Sequence, residues 1–318
     1  MSRKGLIQVL LATALSTVFL FCAFSFLSVG LFYFFFYQRY DTYCPTDLKA
    51  SDLCAKTVPV TFSSDGDELS GLFIGEGTNG VIVMVHGMRS GMDAHFAEAD
   101  YFAEHGYTVF AYDGRGTRTS GGNSRDSISA ARDDLDAALD YLEQSAYGSL
   151  PVYLYGHSSG GYAAATELDR ADAAVVLGAF DDPIEVMCAY GNRYAGILIY
   201  SQKPFLALWN RIEAGADANE RADEVIGKSD VPILIVSGSE DTVIPSDLSI
   251  TAAVSESDPN VSFLEWTGGH SDLWFSDDAL TYREAMKDAD PDTVDRLRFN
   301  AVDPAFLDTV LAFFENAA

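Results

Sequence analysis

The sequence is poor in basic residues. Its 20 lysines and arginines stand against 47 aspartates and glutamates, so the 318-residue chain carries a formal net charge of -27. A surface of this charge repels phosphate backbones, which disfavours nucleic acid as a partner. The acidity is typical of a well-solvated surface, and no acidic cluster has the spacing of a calcium-binding EF-hand loop.

Cysteine is scarce too, with four in the chain. The sequence contains no paired-cysteine zinc motif, no P-loop and no metalloprotease helix, so we expect neither a metal nor a cofactor. Residues 75–80, GEGTNG, do match the glycine spacing of a dinucleotide-binding loop. They lead into the apolar run 81–85 and not into a helix, and we therefore interpret them as a turn that joins two strands.

Charge is absent from one long segment near the N-terminus. No side chain of residues 6–37 is charged, and the run is longer than the ~20 helical residues that cross a bilayer. We predict a transmembrane signal anchor over 6–37, with a short basic N-terminus over 1–5 before it and a stalk over 38–57 behind it. The core of a cleaved signal peptide is shorter, but Ser28 and Gly30 form a weak cleavage site, so cleavage stays open.

The charges beside the span predict its orientation. Arg3 and Lys4 precede it, which places the N-terminus in the cytoplasm and the following domain outside, in a single-pass membrane protein. The aromatic cluster over 32–40 predicts an interfacial belt in which Arg39 lies among the lipid headgroups.

Two of the cysteines follow the span. With this topology Cys44 and Cys54 lie in an oxidising compartment, close enough along the chain for a local disulfide. Two unpaired thiols are the alternative, and the sequence does not decide between them.

Behind the stalk, the pattern of apolar residues is that of an α/β domain. Residues 58–74 alternate around an Asp-Gly turn, as in a hairpin, and 81–85 is continuously apolar, as in a central parallel strand. Strands and helices then alternate up to a last helix at about 304–317, which predicts a mostly parallel sheet with helices on both faces over 58–318. The alternation breaks at about 181–229, which predicts a small helical insertion.

A serine between two glycines follows one of the buried strands. In the stretch YLYGHSSGGY, Gly156, Ser158 and Gly160 form the pattern G-x-S-x-G. Between a strand and a helix, this pattern presents the serine hydroxyl at the edge of the sheet. A serine hydroxyl is a weak nucleophile, so it needs a histidine as base and a carboxylate that holds the histidine.

Candidate partners follow two later strands. Asp241 comes just after the strand 231–238, and His270 follows the next strand after two glycines. Parallel strands present functional groups at their carboxyl edge, so we expect both side chains to lie near Ser158. Capping of the following helix is the alternative role of Asp241, and Glu240 is the alternative carboxylate.

A candidate oxyanion hole lies in the stretch VMVHGMRSG. His86 and Gly87 end a strand and turn the chain, so the backbone amide of Met88 is predicted to point at the site beside the amide of Ser159. A plain strand-ending turn is the alternative for this motif by itself. His157 is predicted to be a structural residue of the serine turn.

The combined motifs resemble those of alpha/beta-hydrolases over about 58–318, and are most similar to membrane-anchored ABHD-type proteins and their bacterial relatives. The resemblance is carried by the H-G turn, the serine motif, the late GGHSDLW and the stretch DGRGTRTSGG, in which Arg118 replaces an expected glycine. It implies the alpha/beta-hydrolase fold and a triad in the chain order Ser158, Asp241, His270. It also implies that Asp272 supports the histidine loop.

The function implied by this resemblance is that of a membrane-anchored serine hydrolase. It would cleave carboxylic esters or thioesters of small molecules or lipids through an acyl-enzyme. The insertion would form an apolar lid over the acyl pocket, or a cover without a selective role. Its aromatic and apolar residues are Tyr190, Tyr194, Tyr200, Phe205, Leu206 and Trp209. A serine peptidase of the prolyl-oligopeptidase-like type is the alternative, and a non-catalytic membrane-tethered binding protein is the further alternative.

Overall fold

The computed structural model describes residues 2–255 and 257–317. Its strands are β1 (Thr57–Ser64), β2 (Asp67–Ile74), β3 (Val81–Val85), β4 (Thr108–Tyr112), β5 (Val152–His157), β6 (Ala173–Leu177), β7 (Ile233–Gly238) and β8 (Val261–Trp266). Its α-helices are α1 (Arg3–Phe36), α2 (Phe96–Glu104), α3 (Ala131–Glu143), α4 (Ser159–Thr166), α5 (Pro183–Ala195), α6 (Lys203–Ala214), α7 (Ala222–Ile226), α8 (Ile250–Ala253), α9 (Asp277–Met286), α10 (Arg296–Phe299) and α11 (Pro304–Ala317).

Within the described residues, the eight strands form one sheet in the order β1-β2-β4-β3-β5-β6-β7-β8. β1 and β2 form an antiparallel hairpin and β2 pairs antiparallel with β4, whereas every pair from β4 to β8 is parallel. Asp65 and Gly66 at the hairpin turn both have left-handed φ angles, 48° and 91°, as an Asp-Gly turn requires. The predicted α/β sheet with an antiparallel start is confirmed.

Alternate residues of the central strand β3 face two apolar cores. Val81, Val83 and Val85 belong to the core beneath α3 and α4, while Ile82 and Met84 belong to the core beneath α2 and α11. All five are buried. Helices therefore enclose both faces of the sheet, and its carboxyl edge is left to the loops that follow β3, β5, β7 and β8.

The predicted insertion contains helices. Between β6 and β7 the chain forms α5, a 3-10 turn over Gly196–Gln202, α6 and α7. Asp182 begins α5 as its N-cap and accepts hydrogen bonds from the amides of Ile184 and Glu185. Leu206 and Ala222 of the insertion are buried in the core beneath α4, so α6 and α7 pack on the domain, whereas the 3-10 turn over Gly196–Gln202 has no buried residue.

The N-terminal apolar segment is one helix, α1. Among the described residues it is the helix long and apolar enough to cross a membrane, by length and composition. Its buried residues Ser25, Val29 and Tyr33 are spaced by four and lead to the buried Tyr37, so they share one side of the helix. That side packs against the domain, where the Tyr33 hydroxyl donates to the backbone oxygen of Leu206 in α6 at 3.2 Å.

The aromatic cluster over 32–40 differs from the predicted belt. Phe34 and Phe35 are exposed, as a lipid-facing belt requires, but Tyr33 and Tyr37 are buried against the domain. Arg39 donates to the backbone oxygens of Ser120 and Gly122, each at 2.8 Å, and so is held by protein carbonyls and not by headgroups. The carbonyl of Phe36 at the end of α1 lacks a helical partner, and Nη2 of Arg125 donates to it at 2.8 Å.

The segment 38–57, predicted as a stalk, lies along the domain. The amide of Tyr40 donates to the oxygen of Gly116 at 2.8 Å, and the side chain of Asn300 donates to the oxygen of Thr46 at 2.7 Å. Cys44 and Cys54 are exposed and free in the structure, which is the second of the two alternatives that the sequence leaves open.

Candidate active site

Ser158 occupies a strained turn between a strand and a helix. β5 ends at His157 and α4 begins at Ser159, and Ser158 between them has φ 56° and ψ -118°. A residue with a side chain adopts such angles at a cost of about 1–3 kcal/mol, and only where its surroundings enforce them. The Ser158 amide donates to the oxygen of Leu177 on the neighbouring strand at 2.8 Å. This turn raises the hydroxyl above the carboxyl edge of the sheet.

The two glycines of the serine motif are required by close packing. A Cβ at Gly156 would lie 2.4 Å from the backbone oxygen of Gly160, and a Cβ at Gly160 would lie 2.1 Å from the backbone oxygen of Val85. Real Cβ atoms do not approach backbone oxygens so closely. The tight contact between β5, α4 and β3 therefore explains why both positions of the pattern G-x-S-x-G are glycine.

His270 bridges Ser158 and Asp241. Its Nε2 lies 3.0 Å from the Ser158 hydroxyl oxygen, and its Nδ1 lies 2.7 Å from Oδ2 of Asp241. The loop after β8 brings His270 to the edge of the sheet with the help of Gly268, whose φ is 148°. The structure thus brings together the three residues that the sequence predicts as partners, from loops that follow β5, β7 and β8.

The two carboxylate oxygens of Asp241 have different partners, and neither caps a helix, because the next helical turn begins only at Ser246 with Pro245 as its N-cap. Oδ2 faces His270, while Oδ1 accepts hydrogen bonds from the amides of Val243 at 2.7 Å and Ile244 at 3.3 Å. Burial favours a higher pKa for Asp241, but the His270 hydrogen bond, the His270 charge and these two amides outweigh it and lower the pKa below its ordinary value. Asp241 is therefore ionised at neutral pH, and the alternative carboxylate, Glu240, is exposed.

Two neighbours hold the histidine loop. Oδ1 of Asp272 accepts the amide of Gly269 at 2.5 Å, and Nε2 of His157 donates to the backbone oxygen of His270 at 2.7 Å. Burial, with the nearby charge of His270, lowers the pKa of His157 well below its ordinary value, so this ring is neutral. His157 is structural, as predicted, but its contact with the histidine loop joins residues 113 positions apart and leaves no local signal in the sequence.

The loop after β3 has the orientation expected of an oxyanion turn. Nε2 of His86 accepts the amide of Gly114 at 3.0 Å, so Nδ1 carries the proton and donates to the oxygen of Gly87 at 2.8 Å. In a trans peptide the C=O and N–H groups point in opposite directions. The His86 bond therefore directs the amide of Met88 away from His86, and Ser159 follows as the first residue of α4.

The loop also approaches the serine. A Cβ at Gly87 would lie 3.1 Å from Cβ of Ser158, so glycine lets the turn pass close to the hydroxyl. Met88 lines one cavity with Ser158 and a second one with Ser159. Met88 and Ser159 thus lie beside the serine, and the role of their two amides as an oxyanion hole stays a prediction.

Arg118 shows how the departure from the family pattern is accommodated. It has a left-handed φ of 48°, the conformation that favours the glycine expected there. Its guanidinium lies 3.2 Å from Oδ1 of Asp93 and 4.4 Å from the centre of the Tyr43 ring. An ion pair and an aromatic contact thus fix the arginine between the segment that follows α1 and the loop before α2.

A cavity of about 250 Å³ opens beside Ser158 and His270. The cavity is also lined by His95, Trp274 and Arg283. None of these three residues belongs to a motif from which a role in the site could be predicted. In the described part of the chain, the residues that line this cavity do not come from the insertion 181–229. The expected lid therefore lies against α1 and the core, while the cavity is walled by the loop after β3, the histidine loop and α9.

The comparisons with known proteins agree with this architecture. The family model described as "Serine aminopeptidase, S33" matches residues 76–180, a segment that holds the turn after β3 and Ser158 but ends before Asp241 and His270. No curated protein is significantly similar to the chain in sequence.

Solved structures are similar in fold. The esterase Pf2001 of Pyrococcus furiosus is 16% identical, with a TM-score of 0.60 over 87% of this chain and 98% of that chain. The protein GrgF of Penicillium sp. sh18, an alpha/beta hydrolase, is 17% identical, with a TM-score of 0.52 over 82% of this chain and 99% of that chain. The acylaminoacyl peptidase of Pyrococcus horikoshii is 18% identical, with a TM-score of 0.54 over 82% of this chain and 41% of that chain.

The sheet order and the strained serine turn define the alpha/beta-hydrolase fold. The family model and the solved structures together support the place of this chain in the alpha/beta-hydrolase superfamily.

Proposed function

We propose that the protein is a membrane-anchored serine hydrolase that cleaves carboxylic esters or thioesters. One observation carries the proposal, the continuous chain of short contacts from the Ser158 hydroxyl through His270 to Asp241. A serine hydroxyl within 3.0 Å of an imidazole nitrogen, whose other nitrogen is held by a carboxylate, is the arrangement that activates serine as a nucleophile.

The geometry supports a proposed role for each residue. Asp241 accepts a hydrogen bond from the Nδ1–H group of His270 and remains ionised, which leaves the unprotonated Nε2 as the base that takes the proton of Ser158. The serine oxygen then attacks the substrate carbonyl, and the amides of Met88 and Ser159 stabilise the oxyanion that develops. His270 returns the proton to the leaving group, and water hydrolyses the acyl-enzyme by the same steps.

Amide cleavage is the second candidate. The serine aminopeptidase family model and the acylaminoacyl peptidase structure favour it, because a serine triad serves both reactions. The similarity covers only 41% of the peptidase chain, so the substrates of that peptidase are not evidence for the substrates of this protein. The esterase structure, which matches over 98% of its own chain, favours the ester as the first substrate class.

We also propose that α1 is retained as the membrane anchor, with the hydrolase domain outside the cytoplasm. Cleavage near Ser28 or Gly30 would remove the helix segment that contains Phe26, whose backbone oxygen accepts the indole N–H of Trp209 at 2.8 Å. It would also separate Gly30 from the Trp209 ring, against which it packs. These contacts favour an intact helix.

The proposal is tested on the full-length protein in detergent with p-nitrophenyl esters from acetyl to palmitoyl. Ser158→Ala is expected to lose the enzymatic hydrolysis, whereas Ser201→Ala, an exposed serine of the insertion, retains it. The preferred acyl length then defines the substrate class. Cleavage of aminoacyl p-nitroanilides but not of any ester would replace the ester proposal by the peptidase one, and inertness to both would support a binding protein.

A further inference from the structure

The cavity beside Ser158 contains an arginine whose charge has no counter-ion in contact. Arg283 of α9 lies between two phenyl rings, 4.1 Å from the centre of Phe275 and 4.2 Å from that of Phe299. Its Nη1 donates to the backbone oxygen of Phe299 at 3.1 Å. Among residues 2–255 and 257–317, no carboxylate forms an ion pair with it. The rings fix the direction of the guanidinium and leave its remaining donors to the cavity that it lines.

Two further polar atoms of the same wall lack partners. Nε1 of Trp274 and Nε2 of His95 are buried without a hydrogen bond to any described residue, and both side chains belong to residues only 3% exposed. An indole N–H can only donate, and a buried donor left unpaired destabilises the folded protein. Both atoms lie beneath the surface of the cavity wall, so an acceptor satisfies them only when the wall shifts to admit it.

The charges that face this cavity favour an anionic visitor. Arg89, exposed at the entrance, is a second cation, and Asp47 is the one acid among the described residues that line the cavity. Burial, followed by the charge of Asp93, raises the pKa of Asp47 above its ordinary value, although the charge of Arg283 opposes the rise. Asp47 therefore acts on Arg283 through space, without an ion pair between the two side chains.

We propose that the wall formed by Arg283 and Trp274 is a subsite for an anionic group, a carboxylate or a phosphate, carried by the substrate of Ser158. The guanidinium pairs with the anion through its planar donors, and the indole N–H adds a hydrogen bond. This inference rests on the proposed function, because the anion belongs to the ester that the serine cleaves. It narrows the substrate class to esters that carry a negative charge within the reach of a 250 Å³ cavity.

The test compares two esters with acyl chains of the same length, p-nitrophenyl hexanoate and the mono-p-nitrophenyl ester of adipic acid, which adds a terminal carboxylate. The wild-type enzyme is expected to prefer the adipate ester. In Arg283→Met this preference falls by about tenfold to a hundredfold, the worth of a charge-assisted hydrogen bond, through KM more than kcat. Because the measure is a ratio within one preparation, partial unfolding does not change it.

Three variants separate charge from structure. Arg283→Lys keeps the charge and restores part of the preference, and Trp274→Phe keeps the ring but removes the N–H, with a smaller loss than Arg283→Met. Arg298→Met is the matched control, since this exposed arginine pairs with Asp278 and should leave the ratio unchanged.

A second pair of probes places the anion on the leaving-group side. Phenyl acetate is compared with 4-acetoxybenzoate and with 4-acetoxyphenyl phosphate, which identify a carboxylate or a phosphate there. If Arg283→Met alters the ratio in none of these pairs, the subsite proposal is wrong while the hydrolase proposal stands. If no ester is cleaved at all, calorimetric binding of adipate or inorganic phosphate that is lost in Arg283→Met would support the subsite without the hydrolase, and the absence of such binding would overturn it.

Discussion

Trp209 of the insertion lies flat against Phe26 of the N-terminal helix, with ring centres 4.8 Å apart, and its indole N–H donates to the backbone oxygen of the same Phe26 at 2.8 Å. The contact joins a segment that the sequence assigns to the membrane with one that it assigns to the hydrolase domain. It follows that α1 and α6 form one packed unit, so α1 also positions the insertion.

Replacement of Trp209 should loosen this unit. Trp209→Ala removes the stacked ring and the hydrogen bond, and a half-buried aromatic with both contacts contributes about 2–3 kcal/mol. The thermal unfolding midpoint of the detergent-solubilised protein is expected to fall by several degrees. Leu208→Ala, a change at an exposed neighbour, is the control and should leave it nearly constant. Equal midpoints for the two variants would show that α1 does not dock on the insertion.

Gly30 makes the same contact from the side of α1. A Cβ at this position would lie 2.4 Å from Cζ2 of Trp209, so Gly30→Leu must push the two helices apart although leucine favours a helix more than glycine does. Protease sensitivity of the segment 38–57 should rise in Gly30→Leu. Sensitivity equal to that of the wild type would contradict the packing.

The backbone angles of Ser158 predict a conflict between activity and stability. Because φ is 56°, glycine fits this position better than alanine does. Ser158→Gly and Ser158→Ala should both be inactive, but Ser158→Gly should be the more stable to urea by about 1 kcal/mol. If alanine proves the more stable, the turn is not strained.

Asp241 should be needed as a negative charge. Asp241→Asn keeps the size of the side chain but donates to His270 instead of accepting from it, which favours the wrong tautomer. We expect kcat to fall by about 1,000-fold to 10,000-fold with little change in the unfolding midpoint. Glu240→Gln, at the exposed neighbour, is the control and should retain activity. A comparable loss in both variants would reject Asp241 as the orienting carboxylate.

Asp133 should make the folded state less stable as pH rises. Burial, opposed by Arg115, raises the pKa of Asp133 to about 6, above the ~3.9 of an unfolded aspartate. The native state then binds more protons than the unfolded state between these values, so the free energy of unfolding falls as pH rises from about 4 to 6. Asp133→Asn should abolish this fall and gain about 1–2 kcal/mol at pH 7. Parallel pH profiles for the two proteins would disprove the shifted pKa.

Much of the fold could be predicted because its signals are local. The strand 81–85 and the last helix, 304–317, coincide with β3 and α11, since a continuous apolar run and a helical period are both written in neighbouring residues. The residues of the candidate site could also be predicted from the sequence, because the residues of an alpha/beta-hydrolase triad occupy fixed places after particular strands.

Two features of the structure could not be predicted from the sequence, because they depend on contacts between segments that are far apart in the chain. The docking of α1 could not be predicted, since a helix that is apolar on all sides does not reveal which side is covered. The cavity wall at Arg283 combines α9 with Phe275 and with Phe299 of α10, and the stretch 277–299 has no strong apolar period to mark its helices. Folding alone brings these residues to the serine.

The most direct test of the account is the reaction of the full-length protein with a fluorophosphonate, followed by mass spectrometry of the digested protein. A single adduct is expected on Ser158, and it should be absent in Ser158→Ala. It should form at least about 100-fold more slowly in His270→Ala, whereas Ser201→Ala should be labelled like the wild type. No adduct on Ser158, or equal labelling rates with and without His270, would contradict a serine activated by His270 and Asp241.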